Sequence, residues 1–138
     1  MRVVLLLALY ALAPIAAGAA ELRGQLTLYA GDKPLRLSES ADAVIYFRPK
    51  APVAVAPAPE PAVMSTRRKQ FVPRVLPITA GSTVRFPNED PILHNAFSTS
   101  PDNKFDTGQY GTGPGSVQTF TKPGLVKVYC NVHHSMFG

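Results

Sequence analysis

The residues best suited to chemistry stand together at the end of the chain, in Cys130-Asn131-Val132-His133-His134-Ser135-Met136-Phe137-Gly138. A thiol, an imidazole and a thioether recur there at Cys-x-x-His-x-x-Met spacing, short enough for one tight loop to gather all three around a point. Thiolate and thioether are soft donors and imidazole is intermediate, so the set suits copper in either oxidation state. Zinc accepts cysteine and histidine, yet it has no redox role and little use for a neutral thioether. A trigonal site of two histidines and one cysteine with a long axial methionine needs a second imidazole from elsewhere. Apart from the adjacent His134, the sequence offers only His94. Neighbouring histidines do not easily share one metal, which assigns His134 to the rim. Taken singly, each residue has an ordinary role: a buried free thiol, a core-filling methionine, a surface histidine. Their joint spacing is what points to a metal.

His94 and Cys130 are far apart in sequence, so a folded scaffold must hold them ready. The texture of the chain is that of short strands broken by turns. Gln25-Leu26-Thr27-Leu28-Tyr29 alternates polar and apolar before the turn-like Gly31-Asp32-Lys33-Pro34. Ala43-Val44-Ile45-Tyr46-Phe47 reads as a short buried strand. Thr83-Val84-Arg85-Phe86 follows the turn pair Gly81-Ser82 and is expected to stop at Pro87-Asn88. Val117 to Phe120 precedes the turn Lys122-Pro123-Gly124, and Leu125 to Cys130 forms a last strand with Val126, Val128 and Cys130 on its core face. Outside the first twenty residues no long stretch has apolar residues at helical spacing. The fold class is therefore all-β, a sandwich or barrel.

With these residues in view, the chain resembles the cupredoxins, the type 1 blue copper family that includes plastocyanin and amicyanin. His94-Asn95 together with Cys130-x-x-His133-x-x-Met136 carries the resemblance, and the ligand-loop spacing is most similar to amicyanin. Phe71-Val72-Pro73-Arg74-Val75-Leu76-Pro77, Gly81 to Asn88 and Phe105-Asp106-Thr107-Gly108 resemble exported bacterial plastocyanin-like and methylamine utilisation proteins. The resemblance implies a Greek-key β-sandwich with one type 1 copper near one end. It also implies His94, Cys130 and His133 as equatorial ligands, Met136 as the axial one, and Asn95 as a brace between the ligand loops. In the family a final strand follows the axial methionine. Here Gly138 comes two residues after Met136, so the fold is expected to lack that strand and to leave the loop unclamped on one side.

Length and composition agree with a small folded module. The chain has 138 residues, 46% hydrophobic and 17% charged, a formal net charge of +5 and a single cysteine. One cysteine excludes an intrachain disulfide scaffold and any multi-cysteine zinc or iron–sulfur cage. Met1-Arg2, the apolar run Val3 to Leu12 and the Ala17-Gly18-Ala19 cleavage pattern read as a signal peptide over residues 1–19. Residues 20–138 are then one exported domain, periplasmic, monomeric and with no integral membrane segment. Residues 49–61 hold five of the 14 prolines and read as a Pro/Ala-rich surface loop. The basic triplet Arg67-Arg68-Lys69 lacks interleaved aromatics, which argues against nucleic acid and leaves a solvated loop or an electrostatic patch. The expected function is electron transfer through copper cycling between Cu(II) and Cu(I). The expected partner is a redox protein with an acidic or apolar docking surface. No acid–base constellation marks an enzyme. Copper storage or delivery, and a sandwich whose copper site has decayed, are the alternatives.

Overall fold

The computed structural model describes residues 27–36, 42–46, 50–51 and 53–138. The expected signal peptide lies outside them, and among them no helix is long and apolar enough to cross a membrane. The chain divides into two units, Met1–Leu35 and Arg36–Gly138. In the first, β1 (Tyr29–Ala30) pairs antiparallel with β2 (Lys33–Pro34) around the Gly31-Asp32 turn. Lys33 and Pro34 are thus strand, not turn, and residues 25–26 of the expected strand lie outside the described residues.

The second unit is built on β6 (Thr83–Asn88), whose side chains alternate between half-buried and buried. Val84, Phe86 and Asn88 point inward, as the period of two requires. On one edge β9 (Gly113–Thr119) runs antiparallel along the whole of β6, from Thr83↔Thr119 to Asn88↔Gly113. On the other edge β3 (Ala62–Val63) and β4 (Ser65–Thr66) run parallel to it, end to end. β5 (Phe71–Val72) closes the sheet as the hairpin partner of β4.

β6 does not stop at Phe86. Its pairing with β9 shifts register between Phe86 and Asn88, where Pro87 faces the two residues Pro114 and Gly115. This is a β-bulge, the one interior position where a sheet tolerates a residue with no N–H to give. Gly115 sits there at φ 66°, and a Cβ on it would overlap the backbone carbonyl oxygen of Phe86. The bulge carries the strand through to Asn88 and so to the loop that bears His94.

A second layer is made of shorter pieces. β7 (Phe97–Ser98) pairs antiparallel with β8 (Phe105–Asp106), and the His94–Tyr110 bridge extends that pairing. Tyr129 bridges Phe97 on one side and Phe137 on the other. Leu125 to Cys130 is therefore a chain with a single bridged residue, not a regular strand. Its alternation is nonetheless the expected one, with Val128 and Cys130 buried and Leu125 and Lys127 exposed. The loop after Cys130 is not left unclamped. Val128 and Gly138 exchange both backbone hydrogen bonds, each 2.9 Å.

Between the layers lie Met64, Phe71, Val84, Phe86, Ala96, Phe120, Val128, Cys130 and Met136. Phe105 stacks on Phe86 and meets Phe120 edge-on, both with centroids 5.5 Å apart. Ala43 to Tyr46 does not join this core. Ile45 and Tyr46 are 69% and 72% exposed, and among the described residues this segment pairs with no strand. In the Pro/Ala-rich stretch, Val53 to Glu60 are exposed and irregular, as their prolines dictate, and Pro61 is half-buried.

Candidate metal centre

The site forms where the end of β6 meets the loop after Cys130. Asn88, the last residue of β6, is buried and uses its whole side chain. Its Nδ2 donates to the carbonyls of Ile92 (2.8 Å) and Tyr110 (3.2 Å). Its Oδ1 accepts from the Asp90 N–H (2.9 Å) and the Thr66 hydroxyl (3.0 Å). The Asn88-to-Asp90 contact is an Asx-turn, a local bond that asparagine makes more readily than it extends a strand. It bends the chain so that Asp90 and His94 face each other.

His94 is fully buried, and its backbone is held by two hydrogen bonds to Tyr110. Its Nε2 lies 2.9 Å from Asp90 Oδ2. A carboxylate there accepts a hydrogen bond from Nε2–H, which keeps the ring proton on Nε2 and leaves the Nδ1 lone pair free. Nδ1 points at Cys130 Sγ (3.8 Å) and at His133 Nδ1 (3.2 Å), and His133 Nδ1 lies 4.0 Å from the same sulfur. The three donor atoms all fall within 4.8 Å of one another. A trigonal metal about 2.3 Å from sulfur and about 2.0 Å from nitrogen spaces its donors by about 3.5–3.7 Å. The observed gaps bracket that spacing, so the trio fits a metal ion.

Three lone pairs aimed at one point repel each other unless a cation or a proton stands between them. One cysteine sulfur and two imidazole nitrogens are a donor set that suits copper. His94, Cys130 and His133, named from sequence, are thus brought together. Met136 is buried to 1% exposure in the same core cluster, and its N–H donates to the His133 carbonyl (2.9 Å). His134 is exposed, in keeping with a place on the rim. Asn95 ties the two loops: its Oδ1 accepts the Asn131 N–H (2.7 Å) and its Nδ2 donates to Asp106 (3.1 Å).

Sequence reading missed Asp90 and Tyr110. Burial pushes the Asp90 carboxyl up, but the N–H groups of Lys69 (2.8 Å) and Arg68 (2.7 Å) and the His94 ring outweigh it. They hold it below the ordinary 3.8. The Asn-x-Asp spacing was the available signal. The His133 imidazole lies below its ordinary 6.5, through desolvation first and then its neighbours His94 and Lys69, with Asp90 opposing. Tyr110 carries a buried hydroxyl with no hydrogen-bond partner among the described residues. Burial, helped by a charge on Cys130, pushes its phenol up to about 12. Nothing in the sequence set this tyrosine apart from the other four.

No protein-family model matches the sequence, and no curated protein does either. Solved structures do. A copper-containing nitrite reductase from Thermus scotoductus matches at 33% identity and TM-score 0.55 over 66% of this chain. The chain spans 24% of that enzyme's length. A purple cupredoxin from Nitrosopumilus maritimus matches at 26% identity and TM-score 0.51, over 56% of this chain and 94% of its own. An amicyanin variant in the reduced state matches at 20% identity and TM-score 0.54, over 60% of this chain and 88% of its own. An all-β sandwich, two histidines and a cysteine converging at one end, and these structural neighbours show that the chain has a cupredoxin-like fold.

Proposed function

We propose that this chain is an exported electron carrier that holds one copper ion in a type 1 site, with His94, Cys130 and His133 as equatorial ligands and Met136 as the axial one. The observation that carries the reading is the convergence of His94 Nδ1, Cys130 Sγ and His133 Nδ1, with the His94 tautomer set by Asp90. Copper in such a site supplies one-electron chemistry between Cu(II) and Cu(I). The protein's part is to prevent rearrangement. Asn95 locks the two ligand loops together, and the Val128–Gly138 pairing closes the loop behind Met136. Both hold the donors in one geometry for both oxidation states. His94 and Cys130 are buried while His133 is half-buried, so His133 is the route by which an electron reaches the surface. With Met136 as the fourth ligand, the proposed donor set leaves no position for a bound water. A carrier is therefore favoured over an enzyme.

The test is addition of Cu(II) to the purified protein with visible and electron paramagnetic resonance spectra. An intense thiolate-to-copper band with narrow copper hyperfine splitting is expected, and it is lost in Cys130→Ser. Colourless binding of Cu(I) alone would replace this reading with copper delivery. No binding of either ion would leave a sandwich with a decayed site.

A further inference from the structure

The basic triplet noted in the sequence sits at the tip of the β4–β5 hairpin. Arg67 and Gln70 exchange both backbone hydrogen bonds (2.9 and 3.1 Å), which leaves Arg68 and Lys69 as a two-residue turn. Their φ angles are 53° and 56°. That is the type I′ form, which twists with the strands but favours Asn-Gly because side chains resist positive φ. Two long cationic residues are a costly choice here, and strained backbone persists only where its surroundings hold it.

Asp90 is what holds it. Two successive N–H groups in left-handed conformation form a concave anion seat, and the carboxylate of Asp90 occupies it, Oδ1 on Arg68 and Oδ2 on Lys69. The same Oδ2 bonds His94 Nε2. The turn is thus one carboxylate away from a candidate ligand.

With the backbone held, the side chains are free. Arg67 stands 4.0 Å from Glu89, but among the described residues no ion pair engages Arg68 or Lys69. Both are exposed. The residues of this turn spend their backbone on the metal centre and present their charge to solvent.

We propose that the Arg68–Lys69 turn is the docking element for a carboxylate-bearing acidic surface of the redox partner, anchored to the copper site through Asp90. The docking role rests on the electron-carrier reading, but the surface can be tested without it. Metal-free, nitrogen-15-labelled protein is titrated with hexacyanochromate(III), a redox-inert paramagnetic trianion. Amide broadening is expected to centre on residues 67–70. It is expected to disappear in Arg68→Asn/Lys69→Gly, which removes both charges, keeps both N–H donors and installs the pair a type I′ turn prefers. Lys122 lies beyond Thr119, at the opposite end of the β6–β9 ladder from Asn88, so Lys122→Gln serves as the control. Broadening centred near Lys122, or unchanged in the double variant, overturns the proposal.

In the copper-loaded protein one electron passes from Cu(I) to hexacyanoferrate(III), yielding Cu(II) and hexacyanoferrate(II). Losing two charges near the exit is expected to slow this about tenfold at low ionic strength, and the difference is expected to close in high salt. An equal loss in Lys122→Gln means that net charge governs the rate, and refutes the assignment. If the protein takes up no copper, the electron-carrier reading fails while the chromium titration still decides the surface.

Discussion

Asp90→Asn is the most informative single change in this molecule. The wild-type carboxylate accepts three hydrogen bonds, from the N–H groups of Arg68 (2.7 Å) and Lys69 (2.8 Å) and from His94 Nε2 (2.9 Å). An asparagine has one oxygen to offer. Placed where Oδ2 stood, that oxygen keeps Lys69 and His94 but turns an amide NH₂ toward the Arg68 N–H, donor against donor. One charge-assisted bond is lost and two become neutral. Such bonds contribute about 1.5–3 kcal/mol each, and the removal of a buried charge offsets part of the loss. The expected cost is about 2 kcal/mol at neutral pH. Urea unfolding of the metal-free protein measures it. With a slope of about 2 kcal/mol/M for a small domain, the midpoint should fall by about 1 M at unchanged slope. The gap should also depend on pH with a definite sign. The folded Asp90 titrates below 3.8, so its contribution is present above that value and vanishes as pH falls through the folded pKa. Wild type and variant should therefore converge in strong acid. A midpoint shift under about 0.2 M, or a gap that persists in acid, would refute the coupling of turn, carboxylate and ligand.

Gly115→Ala should be worse, costing about 3 kcal/mol or preventing folding. The added Cβ meets backbone at a left-handed position in the bulge, and thermal unfolding would show it. Tyr110→Phe should be neutral or stabilising by about 1 kcal/mol in the metal-free protein, since it removes a buried hydroxyl without a partner. A loss above about 1 kcal/mol by urea titration would show that the hydroxyl is bonded in solution. The metal-free protein should also lose stability as pH drops through 6.5 toward the lower folded value of His133, because the unfolded chain takes up that proton first. His133→Asn should flatten this part of the profile.

Much of the site was legible from one dimension. Cys130 and His133 share one short loop, where spacing alone limits how far apart they can stand. His94 could be singled out because the sequence has so few imidazoles. The alternation that buries Val128 and Cys130 follows from the pleat and needs no knowledge of the neighbours. Other elements were misread for want of a partner. Ala43 to Phe47 has strand composition, yet its described residues find no sheet edge, and β-propensity without pairing does not make a strand. Pro87 reads as a stop, and only the bulge opposite it, at Gly115, lets β6 continue to Asn88.

The sequence by itself determined which donors are present and that a strand-built scaffold must carry them. The tertiary structure decided how they are held. Asp90 pairs with His94 because Asn88 bends the intervening loop, and it can remain ionised while buried because a hairpin tip from another part of the sheet supplies two N–H groups. The Arg68-Lys69 pair reads in sequence as a solvated charge run. The fold places its backbone against the carboxylate that bonds His94 and its side chains in water. Donor identity is a property of single residues, whereas a hydrogen bond between a turn and a loop 21 or 22 residues apart exists only once both are in place.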